Sequence, residues 1–257
     1  MDTRLTPELT PNLTDGANVQ SGGAGRWLLE IPAGPGGRYR LAQVDDYKGL
    51  PRHSFRWSPP LTLSLSARAS SERIPGTWGF GLWNDPFGMG IIKGSRLLRL
   101  PTLPNAAWFF FASPPNYLSV RDDLPARGKL AAVFRSTRLP APLLALGAAA
   151  LPLLLCKLAV RRLRRLARGF VQQEARELDI SVLDWHTYEL VWETNAVHFS
   201  VDGEKILQAG LAPHSPLGMV VWVDNQYAAL PPDGKVRFGT LENPGPAWIE
   251  IRDLTVS

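Results

Sequence analysis

Two clusters in the sequence set a tryptophan beside short polar side chains. One is Trp83, Asn84 and Asp85; the other is Trp222, Asp224 and Asn225, spaced Trp-Val-Asp-Asn. An indole face stacks on the apolar face of a pyranose ring, and carboxamide and carboxyl groups bind its hydroxyls. Each cluster ends an apolar run, so each belongs at a strand end. The same residues have a plainer use, in which tryptophans fill a core and Asn and Asp close turns. His186 is a further ligand-binding candidate because it shares a strand face with Tyr188. A histidine satisfied by its neighbours is the competing reading of that pair.

Spacing excludes several other chemistries. His53, His198 and His214 are too scattered to build a metal site, and no calcium loop, phosphate loop or Gly-x-Ser-x-Gly motif occurs. No metal and no cofactor is expected. The single cysteine, Cys156, excludes an intramolecular disulfide. It sits in an apolar run without a His or acidic partner and reads as a buried thiol.

The elements that must position these residues are mostly strands. The chain has 257 residues, 45% of them hydrophobic, with 23 glycines and 23 prolines but no repeat. Such a composition supports a packed core with many turns. Alternation is clear in "LTLSLSARA", where Leu61, Leu63, Leu65 and Ala67 face one way and Thr62, Ser64, Ser66 and Arg68 the other. In "GTWGFGLWNDPFG", Trp78, Phe80 and Leu82 share one face, and Thr77, Gly79, Gly81 and Trp83 the other. "AAWFFFAS" suits a strand covered on both faces. "HTYELVWET", "AVHFSVDG", "LGMVVWVDN" and "AWIEIRDLTVS" continue the pattern, with turns at Thr194-Asn195 and Asp202-Gly203. About a dozen short strands predict an all-β sandwich or jelly roll spanning residues 26–257. Residues 1–25 are polar and rich in Pro, Thr, Asn and Gly, and predict a disordered tail. They show no secretory signal pattern, so a cytoplasmic location is expected.

The segment at about 139–180 breaks the strand grammar. It carries +4 of the chain's net charge of +5. It opens on "LPAPLLALGAAALPLLLC", eighteen uncharged residues interrupted by three prolines and a glycine. From Leu153 a helix is predicted. Leu155, Leu158, Ala159, Leu163, Leu166 and Phe170 fall on one arc, and Lys157, Arg161, Arg164 and Arg168 on an opposite stripe; Arg162 falls inside the apolar arc. The basic stripe suits an anionic membrane surface contacted peripherally. The alternative is a helix docked on the sandwich with its arginines solvated. Sheet patterns on both sides disfavour a membrane span, and no stacking platform accompanies the arginines, so nucleic acid is not an expected partner.

One resemblance adds to this reading. "DWHTYELVWETNAVHFSVDG" resembles a segment of family 16 glycoside hydrolases and other concanavalin A-like proteins, through Trp185, His186, Tyr188, Trp192, Val201, Asp202 and Gly203. Upstream, Ala67, Arg68, Gly76, Trp78 and Trp83 match the strand and Gly-x-Trp pattern of that family, and "AWIEIRDLTVS" is similar to its closing strand. Order and spacing agree over about Phe55–Asn84 and Asp184–Ser257; the middle matches poorly. The resemblance implies a concanavalin A-like jelly-roll β-sandwich, here with an inserted amphipathic helical segment.

It does not bring the hydrolase chemistry with it. A retaining glycosidase needs two carboxyls about 5–5.5 Å apart, and residues two apart on a strand can supply them. The family uses Glu-x-Asp-x-x-Glu or a near variant. The full Glu-x-Asp-x-x-Glu pattern does not occur in this chain, and "AAWFFFAS", at the expected place, has no acid. The sequence therefore reads as a non-catalytic, lectin-like carbohydrate-binding protein with an anionic membrane surface as a second partner. A divergent family 16-like hydrolase, and a scaffold acting through the amphipathic helix, stand as alternatives.

Overall fold

Short alternating segments separated by turns can bury their apolar faces only by pairing into sheets and stacking the sheets. The computed structural model describes residues 5–23, 25–86, 102–138 and 156–257. They form two seven-stranded antiparallel sheets that face each other. The groove sheet runs, edge to edge, β1 (Thr10–Leu13), β4 (Leu41–Asp45), β13 (Gly218–Asp224), β6 (Thr77–Trp83), β7 (Ala106–Ala112), β8 (Gly128–Ser136) and β9 (Val171–Glu177). The back sheet runs β12 (Glu204–Ala209), β11 (Val197–Val201), β10 (His186–Trp192), β5 (Leu61–Ala69), β16 (Ala247–Val256), β3 (Arg26–Ile31) and β2 (Asn18–Gly23). A two-stranded pair, β14 (Gln226–Ala229) with β15 (Arg237–Thr240), lies apart, and the one α-helix among the described residues, α1 (Lys157–Phe170), precedes β9. This is the two-sheet sandwich with a helical segment that the sequence predicts.

The core between the sheets follows from the alternation. Trp78, Phe80 and Leu82 of β6 point inward with Phe109 and Phe111 of β7. They meet Leu63 and Leu65 of β5 and Tyr188, Leu190 and Trp192 of β10. Rings interlock edge to face: Phe109 lies 4.9 Å from Tyr188 and 5.2 Å from Phe199 between centroids. Each such fully buried side chain contributes roughly 1.5–3 kcal/mol. Asp202 and Gly203 both take positive φ, 51° and 82°, so the β11–β12 hairpin closes as expected.

Four expectations need correction. Residues 10–13 and 18–23 are strands at the edges of the two sheets rather than part of a disordered tail. Their side chains are mostly exposed, so polar composition does not exclude pairing through the backbone. Val171–Glu177 is strand β9, paired with β8 from Leu130↔Glu177 to Ser136↔Val171, rather than a continuation of the helical insertion. Cys156 is exposed, directly before α1, not buried. Arg164 of the supposed membrane-facing stripe is buried, as detailed below. The predicted apolar run 139–155, including Leu153 and Leu155, lies outside the described residues. Among the described residues no helix is long and apolar enough to cross a membrane.

Candidate functional site

The outer face of the groove sheet is a second apolar surface, built by the residues that alternate with the core. Strand β7 gives it Ala106, Trp108, Phe110 and Ala112; β13 gives Val220 and Trp222; β6 gives Trp83; β8 gives Phe134. Two glycines make room. An ideal Cβ on Gly79 would stand 2.8 Å from Trp222 Cη2, and one on Gly81 would stand 2.4 Å from the Ala107 carbonyl oxygen. Gly81 also takes φ +153°, which other residues rarely adopt. The indole of Trp222 thus lies close over the β6 backbone at Gly79, while the Cα and Cβ of Trp108 crowd Gly81. Trp83 and Trp222 are parallel within 3°, with centroids 6.1 Å apart, and Trp108 lies 5.9 Å and 5.7 Å from them.

Hydrogen bonds fix these rings. Trp83 Nε1 donates to Tyr47 Oη at 2.7 Å, and Trp222 Nε1 donates to Thr77 Oγ1 at 3.0 Å. Thr77 Oγ1 in turn donates to Asp224 Oδ1 at 2.8 Å. The same oxygen accepts from the backbone N–H groups of Thr77 and Gln226, each at 3.2 Å. Tyr39 donates to Asp224 Oδ2 at 3.4 Å. These donors favour a carboxylate, but burial outweighs them and pushes the Asp224 carboxyl up to about 7. Burial also raises the Tyr39 hydroxyl well above its ordinary value, with the Asp224 charge adding to the shift.

A cavity of about 250 Å³ opens among these groups. Its apolar walls include Trp83, Trp108, Phe110, Phe134 and Trp222, and its polar lining includes Gln43, Asn116, Asp224 and Gln226. Trp108 Nε1 is buried and has no hydrogen-bond partner among the described residues. An unpaired buried donor costs about 1–3 kcal/mol.

The structure brings together three of the predicted site residues, Trp83, Trp222 and Asp224, and gives the others different work. Asn84 ties its own loop: Nδ2 donates to the Leu103 carbonyl at 2.9 Å, and Oδ1 accepts from the Asn105 N–H at 3.0 Å. Asp85 is fully buried with φ 47°, and its carbonyl accepts from Arg52 Nη2 at 2.5 Å. Asn225 is buried; Oδ1 accepts from the Arg40 N–H at 2.8 Å, and Nδ2 donates to the carbonyls of Arg38 and Leu241. His186 stands on the other sheet. Its Nδ1 lies 2.6 Å from Asp202 Oδ2 and its Nε2 lies 2.8 Å from the Ser181 carbonyl, so both ring nitrogens hold the local turn. Sequence reasoning missed Trp108, Phe110 and Phe134. The signal was there for β7: period two in "AAWFFFAS" puts Trp108 and Phe110 on the face opposite Phe109 and Phe111.

On its outer face strand β7 presents Ala106, Trp108, Phe110 and Ala112, none of them an acid. Asp45, whose Oδ2 accepts from Gln43 Nε2 at 2.9 Å, and Asp224 are the carboxyls nearest this aromatic cluster on β4 and β13. Asp45 pairs with Val220, four residues along β13 from Asp224. That separation is roughly 13 Å at about 3.3 Å per residue, beyond the retaining and inverting distances.

No family model and no curated protein matches the chain. Among solved structures, it is similar to a glycoside hydrolase family protein from Mycobacterium thermorestibile, with 13% identity, a TM-score of 0.48, and coverage of 93% of this chain and 79% of that one. A glycoside hydrolase family 16 endo-glucanase from Bacteroides ovatus gives 12% identity, TM-score 0.47 and coverage of 97% and 93%. The carbohydrate recognition domain of Emp47p gives 12% identity, TM-score 0.47 and coverage of 99% and 90%.

Proposed function

We propose that this protein binds carbohydrate without cleaving it, by seating one sugar ring against Trp83, Trp108 and Trp222. The observation that carries the reading is the tryptophan-walled cavity with Asp224 and Gln226 in its polar lining. Indole faces receive the C–H face of a sugar, and Asp224 and Gln226 of the polar lining address its hydroxyls. At about 250 Å³ the cavity lies just below the usual range for ligand pockets, which favours a single ring over a bound oligosaccharide. The motif resemblance at Asp184–Gly203 supports the same ligand class. The acid-free β7 strand and the wide Asp45–Asp224 spacing oppose the hydrolase alternative.

A glycan array followed by titration calorimetry tests the reading. The full chain should bind at least one glycan, and Trp222→Ala should weaken that binding roughly tenfold, the scale of one lost aromatic contact. Failure to bind any glycan would sink it. Release of new reducing ends from a bound glycan would favour the hydrolase instead.

A further inference from the structure

Helix α1 packs on the sandwich by its basic side and turns its apolar side outward. Arg164 is 2% exposed. Its guanidinium donates to the Ser119 carbonyl at 2.9 Å and to Asp122 Oδ1 at 2.6 Å, and it lies 5.4 Å from the Tyr117 ring centroid. It also donates to the Leu230 carbonyl. Arg168 donates to the Val120 carbonyl at 2.9 Å and bonds the other oxygen of Asp122. Val160, fully buried, completes the docked side. The helix backbone rests on the turn at Gly234, where a Cβ would stand 2.5 Å from the Lys157 carbonyl oxygen.

On the opposite side, Leu158, Leu163, Leu166 and Phe170 are 68%, 46%, 63% and 44% exposed. At 100° per residue the four share one arc, with Arg162 inside it and Arg165 at its margin, both exposed. The fourteen residues of α1 hold six basic side chains and no acid. A helix that completes a core places these faces the other way round.

We infer that the outward face of α1 docks on the surface of an anionic phospholipid bilayer, with the helix lying in the headgroup plane. Four large apolar side chains on one arc match the shallow insertion of an interfacial helix. Arg162 and Arg165 decide the occupant. Across a two-fold contact with a second copy they would face their own equivalents and repel. At an anionic bilayer the same guanidiniums pair with lipid phosphates while their stems lie along the acyl boundary. This inference corrects the predicted contact residues: Arg164 and Arg168 hold the helix to the protein, and the apolar arc with Arg162 and Arg165 meets the lipid. It does not rest on the sugar reading.

Vesicle co-sedimentation of the full chain tests it, with phosphatidylcholine vesicles compared with mixed phosphatidylcholine–phosphatidylserine vesicles. Binding should require phosphatidylserine and weaken as salt rises. Leu166→Asp with Phe170→Asp changes only exposed positions and should weaken binding at least about tenfold with an unchanged unfolding midpoint. Arg162→Glu with Arg165→Glu should abolish the phosphatidylserine dependence. Trp222→Ala should leave vesicle binding intact, which separates this inference from failure of the sugar site. Three results would overturn it: no wild-type binding to phosphatidylserine vesicles at low salt, equal binding by the doubly Asp-substituted chain, or a wild-type dimer that this variant dissociates.

Discussion

Asp224 couples the aromatic cavity to pH. Its carboxyl sits near 7 because burial disfavours the charge more than Thr77, Gln226 and Tyr39 favour it. A carboxyl whose folded pKa lies above its unfolded value keeps its proton longer in the folded state. Its contribution is full below about pH 4 and is lost as pH rises through about 7. Asp46, raised to about 6 by burial, acts in the same direction over a lower window. Wild type should therefore lose stability relative to Asp224→Asn between about pH 4 and pH 7, as urea midpoints would show; a constant difference across that range would refute the assignment. Gly81→Ala should destabilise by about 1–3 kcal/mol in the same assay, because the new methyl meets the Ala107 carbonyl and the backbone stays at positive φ. Gly79→Ala should destabilise by a similar amount, because the new methyl meets the Phe109 carbonyl oxygen as well as Trp222, and should weaken glycan binding by displacing that indole. Much of this was legible in the sequence. Alternation placed Gly79, Gly81 and Trp83 opposite Trp78 and Phe80. What it could not show is that the Trp222 indole of β13 comes over Gly79 while the β7 backbone crowds Gly81, since strand order is set by pairing distant in sequence. For the same reason Asn84 and Asn225, chosen for their chemistry, turned out to hydrogen-bond backbone, and Asp85 is buried with its carbonyl accepting from Arg52.

At the scale of the element, α1 shows that amphipathicity gives two faces but not their direction. Counting at 100° per residue finds the apolar arc and the basic stripe. It does not show that Ser119, Val120 and Leu230 offer carbonyls, and Asp122 a carboxylate, where the helix lands. Those acceptors let Arg164 be buried, which an unpaired guanidinium would not tolerate. Asp122 serves both Arg164 and Arg168, and their pairing holds its carboxyl below the usual range. Asp122→Ala should free the helix from the sheet edge at a cost of roughly 1–3 kcal/mol and speed hydrogen exchange at residues 157–170 before the strands respond. Exchange that stays as slow as in wild type would show that Val160 and the carbonyls suffice. Strand β9 was hidden by a related effect: "VQQEARE" buries only Val171 and Gln173, too little to mark it as a strand.

For the whole molecule, the sandwich was the most legible feature, because period-two runs and turn residues recur along the chain and each run must bury one face. Less legible was that one sheet carries apolar groups on both faces. This double burial is why the outer surface of the groove sheet holds a cavity rather than a solvated face. A chain built this way should bind a glycan yet show no turnover of it in a reducing-end assay, and introducing acids at Ala106 and Trp108 should disrupt packing of the buried outer face.

The two strands near the N-terminus have a consequence for handling the protein. β1 covers the free edge of β4 in the groove sheet, and β2 covers the free edge of β3 in the back sheet. One short stretch thus closes the same flank of both layers. A protease cut that released residues 1–24 would bare two rows of unpaired backbone groups at once. The clipped protein should keep most of its core yet associate edge to edge, so preparations that lose this stretch should show rising light scattering on storage while intact chain stays clear.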